Sequence, residues 1–356
     1  VNDAFNFANN SANISGTIDG GTGTDTIDYS ATTVNQTISL GNLTGIEVVT
    51  GGTGTDTIQG TAGAETFTLS TTANAGSVGG VSFTAIEVLD GAGGTDTVTG
   101  SSNNETFQIT SGTGATVSGT TLQNVEVLEG ADGNDTFAFD DGVSFGGTIR
   151  GGTTATDTGS DTLNYNAFTS DPNVNLATLA PEGIEAVSGS TQTGVTSTLT
   201  AANTANTWAV NGPDSGTINT TLSFSNFTNL VGGTNTDDFT ITGSATSISG
   251  GNGVDTFNLS GGSVTTLNGG AGGDTFTLTS GSATTVNGDG GADIFTVNGA
   301  TVGTLNGGGA GDTFNLTSGT VSTSVNGDGG NDEFNLGSAS VAAVDGGGNT
   351  DTINGT

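Results

Sequence analysis

The last third of the chain repeats itself with a period of nineteen residues. Six aspartates recur at spacings of 19, 19, 19, 20 and 19 residues, and each closes a glycine-rich run. Two residues after each aspartate stands a phenylalanine or, in the last repeat, an isoleucine. A short fixed period indicates identical coils stacked on one another, so that the same side chain recurs at the same place on every coil. The six aspartates are Asp255, Asp274, Asp293, Asp312, Asp332 and Asp351.

Apolar residues alternate within each repeat. Phe257 and Leu259 are two residues apart, which places both side chains on one face of a strand. Two such segments and two glycine-rich turns leave no room for a helical repeat with its loops. We therefore predict an all-β fold, a parallel β-solenoid (β-roll or β-helix) with coils of about 19 residues, about 4.8 Å apart. The predicted inward residues are Phe257, Leu259, Val264, Leu267, Phe276, Leu278, Ala283, Val286, Phe295, Val297, Val302 and Leu305.

An asparagine precedes the glycine turn in four successive repeats. Stacked asparagine side chains can hydrogen-bond from coil to coil as a ladder. Alternatively, asparagine simply tolerates the left-handed backbone of a turn. Both interpretations agree with a solenoid. The four residues are Asn268, Asn287, Asn306 and Asn326.

The regularity of the repeat divides the chain into three blocks. Residues 232–356 form the regular block, whereas residues 1–150 carry a looser version in which Asp56, Asp96 and Asp135 are 40 and 39 residues apart, or two coils. Residues 151–231 contain all three prolines and the only tryptophan. There we predict irregular solenoid coils with longer loops, and an inserted domain is the alternative.

Glutamates also recur in the first block. They stand nine residues before or after the aspartates, and nine residues cross a flattened coil from edge to edge. The block is therefore hypothesised to have one aspartate edge and one glutamate edge. The glutamates are Glu47, Glu65, Glu87, Glu105 and Glu126.

Charge narrows the possible partners. Arg150 is the only basic residue, histidine is absent, and 35 acidic residues give a net charge of −34. Nucleic-acid binding needs a basic surface, so we predict none, and anionic lipid is an equally poor partner. No stretch approaches the roughly 20 apolar residues of a membrane span, so no membrane insertion is predicted. The partner that this charge requires is a cation.

Cysteine and methionine are both absent. This suits a secreted protein that does not depend on disulfides, although compositional drift in a low-complexity repeat is the alternative. We predict an extracellular location, on a bacterial cell surface. Both ends of the sequence cut through repeat motifs, so we expect a piece of something longer.

The glycine-aspartate turns have the chemistry of a calcium site. Glycines allow positive φ, so that carbonyl and carboxylate oxygens converge, and Ca²⁺ prefers six to eight oxygen ligands. Carboxylates stacked about 4.8 Å apart repel by roughly 3.5 kcal/mol per neighbouring pair at an effective dielectric of 20, so a cation between them favours stacking. The alternative is an exposed aspartate that shapes its turn by hydrogen-bonding the backbone and is screened by solvent.

The turn Gly130-Ala131-Asp132-Gly133-Asn134-Asp135-Thr136-Phe137 resembles the nonapeptide repeats of the RTX calcium-binding proteins. The resemblance implies a parallel β-roll that binds Ca²⁺ between turns of successive coils and folds after export. In the regular block only one half of each coil keeps the motif, which implies one calcium column. Asn235, Ala310 and Asn349 replace the glycine two residues before the aspartate. The ligands implied are Asp25, Asp56, Asp96, Asp135, Asp161, Asp237, Asp255, Asp274, Asp293, Asp312, Asp332 and Asp351, with glycine carbonyls completing the shells.

Residues 206–208 and 223–230 are similar to linking segments of giant bacterial surface proteins that carry these repeats. We therefore predict a structural role: a calcium-stabilised rod that forms a fibre or the shaft of an adhesin on a bacterial surface or in its matrix. Its partners would be calcium ions and other copies of itself, end to end or side by side. The alternatives are a surface-layer subunit, or a solenoid module that binds carbohydrate or ice.

Catalysis is not predicted. The chain has no histidine for acid–base work, no cysteine nucleophile and one arginine. Two carboxylates could make a glycosidase, and Asp140-Asp141 or Asp237-Asp238 are conceivable pairs. Paired acids are, however, expected by chance in so acidic a chain.

Overall fold

A computed structural model describes residues 1–10, 16–152 and 159–355 of the chain. Residues 11–15, 153–158 and Thr356, which fall within the predicted blocks, lie outside the described residues. Contacts divide the chain into two compact units. The first comprises Val1–Tyr165 with Leu179–Ala186, and the second Asn166–Thr178 with Val187–Thr356. The division into three blocks concerns the regularity of the repeat and stays a prediction.

Short strands follow the glycine turns of the first unit. The central apolar residue of most of the three-residue strands is buried, as Ile27 and Val49 are, and the residues on either side of it are more exposed. The strands are β1 (Ala4–Asn6), β2 (Ile18–Asp19), β3 (Thr26–Asp28), β4 (Thr37–Ser39), β5 (Leu43–Thr44), β6 (Val48–Thr50), β7 (Thr57–Gln59), β8 (Thr66–Leu69), β9 (Ala75–Val78), β10 (Val81–Thr84), β11 (Val88–Asp90), β12 (Thr97–Thr99), β13 (Thr106–Ser111), β14 (Gly114–Val117), β15 (Thr120–Gln123), β16 (Val127–Glu129), β17 (Thr136–Phe139), β18 (Thr148–Arg150) and β19 (Thr162–Asn164), with a 3-10 helix at Leu40–Asn42.

Two sheets receive most of these strands, and β2 pairs with β5 in a separate two-stranded sheet. One has the order β1-β3-β6-β10-β9-β8-β12-β16-β18, and the other contains β4, β7, β11, β13 to β15, β17 and β19. Neighbouring coils pair in parallel, as β3 does with β6 and β7 with β11. Each coil therefore crosses from one sheet to the other about every nine residues, which matches the nonapeptide step.

The second unit contains the longest strands. Its irregular part has β20 (Asn173–Asn175), α1 (Leu176–Leu179), β21 (Ala186–Ser188), β22 (Thr198–Thr200), β23 (Asn206–Gly212), β24 (Ser215–Ile218), β25 (Leu222–Ser225), β26 (Asn229–Gly233), β27 (Asp237–Ile241) and β28 (Ser244–Asn252). The regular part has β29 (Thr256–Ala271), β30 (Thr275–Gly290), β31 (Ile294–Gly309), β32 (Thr313–Gly329), β33 (Glu333–Leu336), β34 (Ser340–Val341), β35 (Val344–Asp345) and β36 (Thr352–Gly355). Parallel pairing links β20, β22, β26 and β28 in turn, so solenoid coils continue through the irregular part.

Successive coils of the regular part stack in parallel and in register. Phe257 lies opposite Phe276, and Leu267 lies opposite Val286. All the predicted inward residues are buried, which confirms the parallel β-solenoid. Phe239, Phe257, Phe276, Phe295, Phe314 and Phe334 form one column of stacked rings with centroids 4.7–5.0 Å apart and interplanar angles of 2–7°.

The asparagines form the predicted ladder. Asn287 Nδ2 donates to Asn268 Oδ1 over 2.7 Å, and Asn306 and Asn326 continue the series at the same distance. None of these four residues has positive φ, so turn tolerance is not their role. A second, unpredicted ladder joins Asn354, Asn335 and Asn315.

Three antiparallel meanders in the described residues depart from the predicted parallel fold. They are β8-β9-β10, β13-β14-β15 and β23-β24-β25, and the middle strand of each runs against both neighbours. Two-residue turns with positive φ at both positions, Gly79-Gly80 and Ser118-Gly119, join the last two strands of the first two meanders, and residues 219–221 join those of the third. Such turns match the twist of a hairpin, and this local signal outweighs the parallel pattern.

Candidate metal column

Each predicted aspartate directly precedes a strand, except Asp237, which begins β27. Eleven of the twelve have side chains that are at most 2 % exposed, and only Asp351 is partly accessible. The aspartates are therefore not a solvent-screened edge of the coil, because their carboxylates lie inside the turn. In the second unit they form the aspartate column, which comprises Asp237, Asp255, Asp274, Asp293, Asp312, Asp332 and Asp351.

One oxygen of each carboxylate in the column accepts a backbone hydrogen bond from the coil before it. The N–H of Asp255 donates to Oδ1 of Asp274 over 2.7 Å, and the N–H of Asp274 donates to Oδ1 of Asp293 over 2.7 Å. The other pairs measure 2.8–3.1 Å. We call the residue that holds this position in its turn, with the backbone hydrogen bond that joins it to a neighbouring coil, a rung. The rungs explain why the aspartates recur at the coil period.

In most of the predicted aspartates of both units, the second carboxylate oxygen is buried and has no hydrogen-bond partner among the described residues. An acceptor that is buried without a donor costs about 1–3 kcal/mol, and more when it is charged. Repeating this cost on coil after coil requires a compensating group. The unpartnered Oδ2 atoms belong to Asp25, Asp96, Asp237, Asp255, Asp274, Asp293, Asp312 and Asp332.

Glycine five residues before the aspartate makes space for this oxygen. A Cβ atom added to Gly288 would lie 2.1 Å from Oδ2 of Asp293 and 2.5 Å from the carbonyl oxygen of Gly307, one coil further on. A carboxylate oxygen and a carbonyl oxygen thus converge on one point, and both are acceptors. The same pair recurs at Gly232, Gly269, Gly307 and Gly327.

Burial also shifts the ionisation of the column. Desolvation raises the pKa of Asp255 from 3.8 to about 7; the N–H of Asp237 opposes the shift, and the carboxylates of Asp274 and Asp237 add to it. Desolvation likewise raises the pKa of Asp293 to about 6 and that of Asp312 to about 7. Without a cation, the fold therefore disfavours the ionised form of the aspartate that recurs on every coil.

Glutamates occupy the same columns as aspartates in the first unit, so the hypothesis of separate aspartate and glutamate edges is wrong. The N–H of Asp25 donates to Oε2 of Glu47 over 2.7 Å, and the N–H of Asp56 donates to Glu87 over 2.9 Å. Glu126 and Glu185 accept in the same way. The longer glutamate side chain reaches the rung position from a turn of different shape. Each of these glutamates stands in the tripeptide Ile-Glu-Val or a close variant of it, and this recurring motif was the sequence signal for their rungs.

Some rungs have all their oxygens satisfied. Glu65 accepts the N–H and the hydroxyl of Thr61 at 3.0 and 2.5 Å, and Glu105 accepts both groups of Ser101. Asp56 accepts N–H groups at both oxygens, from Gln36 at 2.8 Å and Gly52 at 2.6 Å. These three rungs have donors where the column has only acceptors.

Replacing the turn glycine does not displace the aspartate. Ala310 and Asn349 adopt φ of 79° and 77°, the region that glycine fills elsewhere. Asp312 remains 1 % exposed and keeps its rung. Asn235, the third replacement, does not have positive φ, yet Asp237 is fully buried and keeps its rung. Neither glycine nor a positive φ at this position is therefore required for the rung.

The donor set is hard oxygen, which suits Ca²⁺. No group of three or more acidic, histidine or cysteine side chains within the described ranges is placed to hold a metal. Any ion here would therefore depend on one or two carboxylates and on backbone carbonyls. Among the paired acids, Asp237 is buried and Asp238 is exposed, so the two carboxylates of that pair face opposite sides of their strand.

No protein-family model matches the chain, and comparisons with curated proteins and with solved structures found no match. Where the structure describes the chain, it contains no helix with the length and hydrophobicity that a bilayer crossing requires.

Proposed function

We propose that this chain is a calcium-stabilised structural β-solenoid, secreted to a bacterial surface or its matrix, where it forms a fibre or the shaft of an adhesin. The observation that carries the proposal is the series of buried Oδ2 atoms facing carbonyl oxygens with no donor between them. A divalent ion on each coil would satisfy both acceptors and offset the repulsion between carboxylates.

Eight residues would hold calcium through their unpartnered oxygens: Asp25, Asp96, Asp237, Asp255, Asp274, Asp293, Asp312 and Asp332. Asp135 and Asp161 share the burial and the glycine arrangement, at Gly130 and Gly151. Asp56 fits less well because N–H groups already occupy both oxygens, and Asp351 because it is partly exposed. When bound, calcium supplies positive charge and accepts oxygen ligands. The chain supplies carboxylates, carbonyls and a fixed spacing.

The partner chemistry fits the composition. A net charge of −34 with one arginine leaves almost no internal cation to neutralise the carboxylates. Arg150 is already paired with Glu182 at 2.9 Å. External cations are therefore the available counter-charge, and extracellular fluids contain enough calcium to fill weak sites.

Calcium removal tests the proposal. We expect the chain to bind several calcium ions, measured by calorimetry and elemental analysis, and to lose melting temperature in EDTA by circular dichroism. The variant Asp293→Ala should bind less calcium and gain less stability from it. Asp238→Ala is the matched control, because it removes an exposed carboxylate that follows the column residue Asp237. This variant should behave as the unmodified chain. Equal melting temperatures with and without EDTA contradict the proposal.

Association with other copies is part of the proposal. β36 pairs with β33 on one side, and all four of its residues are exposed. An unpaired strand edge is a template for another strand, from further coils of the same chain or from a second copy. Light scattering of this chain in calcium should show concentration-dependent association, whereas a monodisperse monomer at all concentrations contradicts this part.

A further inference from the structure

One coil of the second unit carries asparagine where its neighbour carries aspartate. Asn206 lies opposite Asp237 in the parallel pairing of β23 with β27. It is 3 % exposed, and its N–H donates to Oδ1 of Asp237 over 2.9 Å, as the N–H of an aspartate does in the column. Asn206 therefore occupies the rung position of its coil.

The side-chain amide nitrogen of Asn206 is surrounded by hydrogen-bond acceptors. Its Nδ2 lies 2.9 Å from the carbonyl oxygen of Ala202, 2.6 Å from that of Thr204, 3.4 Å from that of Gly232 and 2.8 Å from Oδ1 of Asp237. These four atoms can only accept hydrogen bonds.

The other end of the amide faces a donor. Nδ2 of Asn219 lies 3.1 Å from Oδ1 of Asn206. The surroundings thus fix the orientation of the amide, with nitrogen towards the turn carbonyls. The N–H₂ group is the part of this side chain that can donate hydrogen bonds to these carbonyl oxygens.

The aspartate column places an oxygen in similar surroundings, except that Asn206 has the buried Ala201 where the column has its first turn glycine. Oδ2 of Asp237 and the carbonyl oxygen of Gly250 both lie 2.5 Å from where Gly232 would carry a Cβ atom. Gly250 stands to Asp237 as Gly232 stands to Asn206, because each is the first turn glycine of the next coil. Asn206 places a donor next to the carbonyl oxygen of Gly232, whereas Asp237 places an acceptor next to the carbonyl oxygen of Gly250.

We propose that Asn206 is a cation-independent rung, in which the amide N–H₂ takes the place that calcium takes at the aspartate rungs. The inference rests on the proposed function, because it assigns cations to the aspartate rungs. It divides the coils into two kinds. Rungs with their own donors, such as Asn206 and Glu105, close without metal, and rungs with an unpartnered Oδ2 need it.

Exchanging the two rung types tests the inference. Asp274→Asn keeps the size of the side chain and the oxygen that accepts the N–H of Asp255. We expect this variant to bind at least one calcium ion fewer per chain. Its melting temperature in EDTA should rise by roughly 2–4 °C, the shift expected from about one added hydrogen bond in a unit of this size. A fall in EDTA overturns the inference.

Asn206→Asp, made together with Ala201→Gly so that the turn has the glycine of the column, is the reverse exchange. We expect it to bind at least one more calcium ion and to melt at a lower temperature in EDTA, with the difference removed by calcium. Trp208 is the only tryptophan, is fully buried and stacks on Phe239 at 5.4 Å, so its fluorescence reports on this region directly. Unchanged calcium stoichiometry in this variant overturns the inference.

Asp56→Asn is the matched control, because both oxygens of Asp56 already accept N–H groups. An amide there sets a donor against a donor, so the melting temperature should fall with and without calcium. If the unmodified chain binds no calcium, the proposed function fails and the assignment of cations fails with it. If the chain binds calcium but neither exchange alters the stoichiometry, only this inference fails.

Discussion

Ala310 occupies a backbone conformation that the neighbouring coils fill with glycine. Its φ is 79°, and the equivalent Gly272, Gly291 and Gly330 have φ of 126–144°. A Cβ atom in the left-handed region costs about 1–2 kcal/mol, which exceeds the entropic cost of glycine. We expect Ala310→Gly to raise the free energy of unfolding by about 0.5–1 kcal/mol in urea titrations.

The same chemical change elsewhere in a turn provides the control. Ala292 is exposed, immediately precedes Asp293 and does not have positive φ. Ala292→Gly should therefore lower the free energy of unfolding by about 0.5–1 kcal/mol. If both variants shift stability in the same direction, the conformation of Ala310 carries no strain.

At this scale the spacing of residues predicts recurrence but not the direction of a side chain. The nineteen-residue period placed the six repeated aspartates of the regular block at the rung position. It could not show that the carboxylates lie inside the turn, because that depends on the folded shape of the turn around Gly288 and on the carbonyl of Gly307 one coil away. Nor could it show that Asn206 shares the position, since its coil is separated from Asp237 by the β23-β24-β25 meander.

Aromatic stacking dominates the core of the regular strands. Phe276 is fully buried, with ring centroids 4.7 Å from Phe257 and 4.9 Å from Phe295. Phe276→Ala removes two stacked contacts and leaves a cavity that rigid coils above and below cannot fill. We expect a loss of about 3–5 kcal/mol in the free energy of unfolding, measured in urea by Trp208 fluorescence.

Ser280→Ala is the control for this element, because Ser280 is exposed on the same coil. It should change the free energy of unfolding by no more than about 0.5 kcal/mol. A loss at Phe276 as small as that would mean that the ring column does not stabilise the stack.

Elements with a strict period were predictable, and those set by local turns were not. Phe-x-Leu repeats indicated β29 to β32 because only inward residues of one strand face recur in that way. The meanders depend on dipeptides such as Gly79-Gly80, which are two among 65 glycines and are lost in that background. Shared aspartate and glutamate columns were missed because a glutamate reaches the rung from a different sequence offset.

The charge of the whole molecule depends on pH through its buried column. The pKa values of Asp255 and Asp312 are raised from 3.8 to about 7, so the folded chain keeps protons that the unfolded chain has released. Stability without metal is therefore highest below the unfolded value and is lost as pH rises from about 4 to about 7. In EDTA the melting temperature should fall as pH rises from about 4 to about 7, and calcium should flatten this dependence at neutral pH. A metal-free melting temperature that rises over this range would contradict the placement of the carboxylates.

Salt should separate the surface charge of the molecule from its buried charge. Sodium chloride screens exposed carboxylates, because the Debye length falls from about 10 Å at 0.1 M to about 3 Å at 1 M, but it screens buried groups much less. With a net charge of −34, the metal-free chain should gain some melting temperature from sodium chloride and then reach a plateau. Calcium at much lower ionic strength should exceed that plateau, because only a bound ion can meet the unpartnered Oδ2 atoms.

Magnesium chloride at the same concentration is the control for that measurement. Mg²⁺ carries the same charge but demands near-octahedral geometry and releases its waters reluctantly, so it should fit carbonyl-rich turns poorly. We expect the order calcium, then magnesium, then sodium at matched ionic strength. If all three salts raise the melting temperature equally, screening alone accounts for the stabilisation. The acceptors in the column would then have to be satisfied by protons, and the metal-free fold would be the stable form at acidic pH only.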